Sequence, residues 1–272
     1  MVEVFMRKAI TVTLILTVLM LMAGCGSKKN IIAQGSCGED GDNAVFVLDE
    51  DGSMVISGSG TVSKQFGQEE FAGSIVSVTF EEGIEVIGDQ CLALCPALEK
   101  ITVPSTVEYT GWGAFRGCPK LKDVQIAEGL GMIDAETFKD CTALENINIP
   151  KSVMSLGIYA FEGCTSLKTV TFAEGSKLRV MESYVFKNCS SLTTFTISRY
   201  VSYVGGEVFT GCSSLADVYI YLDPEKIDWD SREGTSFGSG TVIHVDPQYY
   251  NSFVEKFASY LHVASIEPIE EN

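Results

Sequence analysis

Apolar and polar positions along most of this chain recur with a period near 23 residues, regular enough to be read column by column. Cys95, Cys118, Cys141, Cys164, Cys189 and Cys212 mark successive units at intervals of 23, 23, 23, 25 and 23. Three residues after each cysteine stands a leucine: Leu98, Leu121, Leu144, Leu167, Leu192 and Leu215. Six after come Ile101, Val124, Ile147, Val170, Phe195 and Val218, and eight after come Val103, Ile126, Ile149, Phe172, Ile197 and Ile220. That two-residue alternation predicts a short strand with one buried face in every unit. Counting backwards, Leu92, Phe115, Phe138, Phe161, Phe186 and Phe209 lie three before, and further apolar columns lie eight and eleven before. Inward residues thus fall around the whole circumference of each unit. One coil cannot bury them alone, so stacking is required. An earlier unit, Ile75, Val78 and Phe80, fits the same template, which gives about seven strand-bearing coils.

The pattern running from Ile149-Pro150-Lys151-Ser152-Val153 to Ala160-Phe161-Glu162-Gly163-Cys164 resembles the BspA-type leucine-rich repeat of bacterial surface proteins, over residues 71–222. The resemblance implies a strand-rich α/β fold, a right-handed leucine-rich-repeat solenoid. Residues 37–70, with Phe46-Val47-Leu48-Asp49 and Met54-Val55-Ile56-Ser57-Gly58, look like the family's N-terminal β-hairpin cap, and residues 223–272 look like its C-terminal cap. Caps are expected because an end coil otherwise exposes an apolar face. The departures are Cys91-Leu92 in place of an Ala-Phe pair, the polar Thr110 in an apolar column, and a two-residue insertion at Gly175–Lys177.

Residues 1–24 read as a signal peptide: Arg7 and Lys8 precede an uncharged run from Ala9 to Met22, which is short for a membrane span. The following Met22-Ala23-Gly24-Cys25 resembles the lipobox of bacterial lipoproteins, although Met22 stands where leucine is usual. It implies that Cys25 is the lipid-attachment residue and that the protein is exported, facing outward from the membrane. Two acyl chains hold where one does not. Residues 25–36 then read as a lipidated tether.

A formal net charge of −17 argues against nucleic acid, whose phosphates need clustered Lys and Arg. The membrane is therefore expected to be met through the lipid alone. No Cys-x-x-Cys pair exists and His244 and His262 stand away from the cysteine array, so neither a metal nor any other cofactor is expected. Equivalent side chains on neighbouring coils point in parallel, so the cysteine column reads as free buried thiols rather than disulfides, with Cys91 and Cys95 the pair to check. Asp49-Glu50-Asp51-Gly52-Ser53 lacks the spacing of a calcium loop and reads as a hairpin turn. Gly111-Trp112-Gly113 begins like a dinucleotide fingerprint and then fails. No nucleophile elbow, metal-binding His pair or phosphate loop is present, and no carboxylate pair stands out, so an enzyme is not expected.

What remains is surface. The outward strand positions carry Lys100, Thr102, Gln125, Asn146, Asn148, Thr169, Thr171, Thr194, Thr196 and Tyr219, with Asp123 and Asp217 in the same columns. They form the candidate binding face, expected to be the concave side. Such a ladder suits hydrogen bonding to an extended protein or glycan, and a merely solvated sheet would look the same. The resemblance implies adhesion through that face. A scaffold within the envelope is the alternative, and an enzyme acting on wall glycan comes last.

Overall fold

A computed structural model describes residues 29–39, 43–230, 237–259, 261 and 263–270. The signal-peptide and Cys25 readings lie outside them, as does His262. The described chain opens with three antiparallel strands, β1 (Ile31–Ser36), β2 (Ala44–Asp49) and β3 (Ser53–Gly58), followed by β4 (Gly60–Val62). Stacked coils follow. Each places a four-residue strand on one face and a second strand on another, which is also four residues long in the first coil and two in the rest: β5 (Ser77–Phe80) and β6 (Ile84–Ile87), β7 (Lys100–Val103) and β8 (Tyr109–Thr110), β9 (Asp123–Ile126) and β10 (Met132–Ile133). The series continues with β11 (Asn146–Ile149) and β12 (Ser155–Leu156), β13 (Thr169–Phe172) and β14 (Val180–Met181), β15 (Thr194–Ile197) and β16 (Tyr203–Val204), β17 (Asp217–Ile220) and β18 (Asp228–Trp229). Then come β19 (Val242–Val245), helix α1 (Tyr250–Phe257) and β20 (Ser265–Pro268). The coils pair in parallel, so the expected strand-rich solenoid is the observed architecture.

One sequence expectation changes in the N-terminal segment and another holds. Ile31–Ser36, read as tether, is instead a strand paired with β2. Its alternate residues Ile31, Ala33 and Gly35 are half-buried, and Ala33 packs on the core, so the segment has a face worth ordering. The Asp49–Ser53 segment is the predicted hairpin turn: Asp49, almost wholly buried, accepts from the Asp51 and Ser53 amides at 3.0 and 2.9 Å, and its other oxygen holds Lys29 at 3.0 Å.

The core is the set of inward columns. Phe115, Phe138, Phe161, Phe186 and Phe209 are buried and stack ring on ring at 5.4 to 5.8 Å, with Phe237 continuing the pile at 5.5 Å. Thr110, the polar exception, is buried within 3.3 Å of the Thr137 hydroxyl, so its oxygen is satisfied rather than orphaned.

The turns between the two faces are held by a feature the columns hid. In each of the six coils that carry the repeat cysteine two residues adopt positive φ, five and one before it: Gln90 and Leu94, Gly113 and Gly117, Glu136 and Asp140, Tyr159 and Gly163, Tyr184 and Asn188, Glu207 and Gly211. Left-handed backbone is uncommon for residues with a side chain. Here it aims amide donors at the next coil: Leu94 N–H reaches the Arg116 carbonyl at 2.7 Å, Glu136 reaches Ile158 at 2.9 Å, and Asp140 reaches Glu162 at 2.7 Å. The strain is repeated because the hydrogen-bond ladder it completes is repeated.

The cysteine thiols belong to this turn. All eight cysteines among the described residues are free and buried. Cys118, Cys141, Cys164, Cys189 and Cys212 each bring Sγ to 3.0–3.2 Å of the carbonyl at the Leu92 or phenylalanine position of the preceding coil. The column therefore uses a small apolar side chain with one weak donor; for Phe138, Phe161 and Phe186 it adds a second donor to a carbonyl that already accepts the amide of the cysteine in its own coil.

Candidate binding face

The four-residue strands do not form one continuous sheet. The ladder runs β1-β2-β3-β5-β7-β9 and stops; β11 pairs only with β13; a new ladder begins with β15-β17-β19-β20. The shorter strands from β4 to β18 remain paired throughout. The solenoid is therefore held in register on one side while its longer-strand face opens twice, between β9 and β11 and between β13 and β15.

Local irregularities of side-chain volume and backbone chemistry mark both openings. At the second opening Phe172 faces Phe195 edge-on, centroids 5.8 Å apart, where other coils carry Val or Ile in Phe195's column; the Gly175–Lys177 insertion follows β13. At the first, Pro150 ends β11. The equivalent Ala127 and Ala173 donate to the Val103 and Ile149 carbonyls at 3.0 Å, and proline has no N–H to give; Pro104 ends β7 in the same column while β7 still pairs with β5, so the lost donor removes one rung and does not by itself open the ladder. The residues on the open side show the effect: Val124, Ile126, Val170 and Phe172, predicted to face inward like their neighbours, are only half-buried.

Each candidate residue has a defined place on this face. Lys100 is tied to Asp123 at 2.8 Å, and Gln125 donates to the same carboxylate at 3.2 Å. Thr102 lies in register with Gln125. Asn146 and Asn148 pair in register with Thr169 and Thr171, and the Thr171 hydroxyl lies 3.1 Å from Asn148 Oδ1. Thr194 and Thr196 lie beside Asp217 and Tyr219, and Tyr219 stacks on His244 at 4.6 Å, whose Nε2 meets Asp217 at 2.7 Å. Lys100, Thr102 and Tyr219 are half-buried and the other seven are exposed. The exposed charges pair within each ladder segment, Lys122 with Glu99 at 2.6 Å and Lys168 with Glu145 at 2.8 Å.

The first opening brings a subset together. Thr102, Gln125 and Asn148 join Val103, Val124, Ile126 and Ala127 around a hollow of about 420 Å³. In a parallel ladder, successive residues send their amide and carbonyl groups to opposite neighbours. Asp123 and Ala127 donate back to Glu99 and Val103. The main-chain groups of Val124 and Ile126 consequently face β11, with which no ladder forms. Sequence reasoning named the polar rim of this hollow and missed its apolar floor and free strand edge. No column signals it, since Pro104 stands where Pro150 does and the ladder there is unbroken. Among the described residues no cluster of three or more His, Cys, Asp or Glu could hold a metal ion.

Across this architecture the profile of the BspA type leucine rich repeat region matches in six copies, over residues 59–142 and 131–242. The chain belongs to the BspA-type leucine-rich-repeat family. As a BspA-type chain it is similar to the solved leucine-rich repeat protein of T. pallidum, at 23% identity over 64% of this chain and 77% of that one, with a TM-score of 0.52. A leucine rich cell surface protein from Faecalibacterium prausnitzii is 16% identical over 85% of this chain and 94% of its own, with a TM-score of 0.45. The pneumococcal vaccine antigen PcpA is 15% identical over 89% and 100%, with a TM-score of 0.38. At these identities the likeness is one of fold. No curated protein matches the chain. For a BspA-type solenoid the fold supplies an extended surface, and function has to be argued from the face itself.

Proposed function

We propose that this BspA-type protein is an exported, lipid-anchored surface protein that binds an extended polypeptide, and that the opening between β9 and β11 receives it. One observation carries the reading: the edge of β9 presents the main-chain groups of Val124 and Ile126, beside half-buried apolar side chains, within a groove rimmed by Thr102, Gln125 and Asn148. An extended chain offers complementary donors and acceptors at strand spacing, and its alternate side chains fill the apolar floor. A fully paired strand has no such groups to offer, so the other ladder rungs contribute shape and the opening contributes affinity.

The full chain is expected to bind immobilised extracellular-matrix proteins. The variant Asn146→Arg/Asn148→Arg, which places bulk and charge at the groove rim, should weaken binding by about tenfold or more, the effect of roughly 1.4 kcal/mol. Equal binding by the variant, or co-purification with envelope components and no affinity for matrix proteins, would remove this reading in favour of a scaffold. The anchor has its own test. Cys25→Ala should abolish incorporation of labelled fatty acid and move the protein out of the membrane fraction; labelling that persists in this variant shows that Cys25 is not the attachment site. With β1 beginning at Ile31, residues 26–30 separate the lipid from the first strand, a reach of about 18 Å when extended. The proposed partner is therefore one that approaches the membrane closely.

A further inference from the structure

The two-residue insertion that breaks the 23-residue period also makes a second hollow, away from the strand ladder. Ala173 to Ser176 form a tight turn, with Ser176 N–H donating to the Ala173 carbonyl at 3.0 Å and Gly175 at a φ of +76°. Beside it a cavity of about 220 Å³ is lined by Met154, Gly175, Ser176, Lys177, Arg179 and Tyr200. The lining comes from three successive coils: Arg179 N–H donates to the Met154 carbonyl at 2.9 Å, and Ser202 N–H donates to the Arg179 carbonyl at 2.8 Å. Met154 is 49% exposed and Tyr200 is 55% exposed.

The charge at this hollow is opposite to that of the molecule. On a chain of net charge −17 most described cations are tied to carboxylates, as Lys29, Lys64, Lys100, Arg116, Lys122, Lys139, Lys168 and Lys226 are. Lys177 and Arg179 form no ion pair among the described residues; Lys151 adjoins them, its carbonyl accepting from Lys177 N–H at 3.1 Å, and its own charge is offset by Glu128, whose carboxylate accepts the Lys151 amide at 3.2 Å. Glu174 is the one acid of the inserted turn and does not line the hollow. Screening confines electrostatics to about 8 Å at physiological ionic strength, so Lys177 and Arg179, the charged residues that line the hollow, outweigh the distant negative charge for a ligand seated here.

We propose that this hollow is a binding site for a carboxylated sugar unit of an acidic polysaccharide. Its volume suits a single ring. Arg179 presents a planar fork that grips a carboxylate through two parallel hydrogen bonds, Lys177 adds a second cation, and the exposed Tyr200 ring offers a flat surface for the sugar's C–H face. An acidic peptide satisfies the cations and leaves the tyrosine plate without a role. The site is separate from the groove between β9 and β11 and does not depend on what binds there.

Calorimetric titration of the full chain with galacturonate oligomers decides the matter. Saturable binding is expected, with no binding of the same oligomers after their carboxylates are reduced to alcohols. Lys177→Gln/Arg179→Gln should weaken binding by at least about tenfold, since each charged hydrogen bond lost is a large fraction of such an affinity. Tyr200→Ala should weaken it several-fold. These side chains are on the surface, so thermal midpoints should stay at the wild-type value, and a variant that keeps its midpoint reports on binding alone. Asn146→Arg/Asn148→Arg should leave the titration unchanged. Undiminished binding in Lys177→Gln/Arg179→Gln overturns the proposal, as does absence of oligomer binding at millimolar concentration. A hexaglutamate peptide that binds as tightly as the oligomer and ignores Tyr200→Ala overturns it too, assigning the hollow to acidic polypeptides.

Discussion

At about pH 10 this protein is expected to unfold, and its buried cysteines, the column together with Cys37 and Cys91, are the cause. Burial pushes the Cys37, Cys118 and Cys212 thiols up to about 12, and it holds Cys91, Cys95, Cys141, Cys164 and Cys189 above the ordinary thiol range as well. In the unfolded chain these thiols ionise near 9.0. A group whose folded value is raised contributes stability that is fully present below its unfolded value. That contribution is lost as pH rises from the unfolded value towards the folded one, here upward from about 9. One pH unit above the unfolded value, each thiol favours the unfolded chain by about 1.4 kcal/mol, so the eight together reach on the order of 10 kcal/mol. A typical domain is stable by only about 5–15 kcal/mol. Urea midpoints measured from about pH 8 to pH 10 check the result. The slope should become shallower in Cys141→Ala/Cys164→Ala, which removes two of the protons. An unchanged slope in that variant would show that the thiols are not responsible.

Loss of one ring from the phenylalanine pile is the second large effect. Phe161 is fully buried and stacks on Phe138 and Phe186, both at 5.4 Å. Phe161→Ala removes that burial and leaves a cavity, a loss of about 3–5 kcal/mol. Position makes the loss more than a number. Coils contact only their neighbours, so stability passes along the stack one interface at a time. Between β9 and β15 the longer strands pair only as β11 with β13, and cohesion across the two openings falls to the shorter strands, the turn ladder and this pile. The two tryptophans stand on either side, Trp112 before the openings and Trp229 after them. In the wild type, single-tryptophan forms should report one shared urea transition. In Phe161→Ala the transitions should separate. Coincident transitions in the variant would mean that the turn ladder alone couples the two halves. Phe115→Ala, placed where β7 and β9 remain paired, should lower stability without separating them.

The sequence revealed the coil and concealed its irregularities. The pile of phenylalanines, the inward leucines and the free thiols were all legible because each repeats in a column. The Cys Sγ contacts to carbonyls were not, since a column shows a small buried residue without showing what it faces. Left-handed backbone was half-legible: Gly117, Gly163 and Gly211 mark one such position, but Leu94, Tyr159 and Tyr184 adopt it with no sequence signal, held by amides that bond to the next coil. On the candidate face, Val124 and Ile126 read like Ile101 and Val103, yet the first pair lies half-open beside a groove and the second is buried. Ile31–Ser36 is the reverse case, a strand that composition alone read as linker.

By itself the sequence determined the period, the inward columns and the outward ladder, because those follow from which residues each coil must hide from water, a requirement set locally and repeated. Only the tertiary structure decided where the ladder opens and which exposed groups meet there, including Lys177, Arg179 and Tyr200 around one hollow. The physical reason is that sheet continuity depends on how side-chain volumes pack across neighbouring coils, and no single column carries that sum.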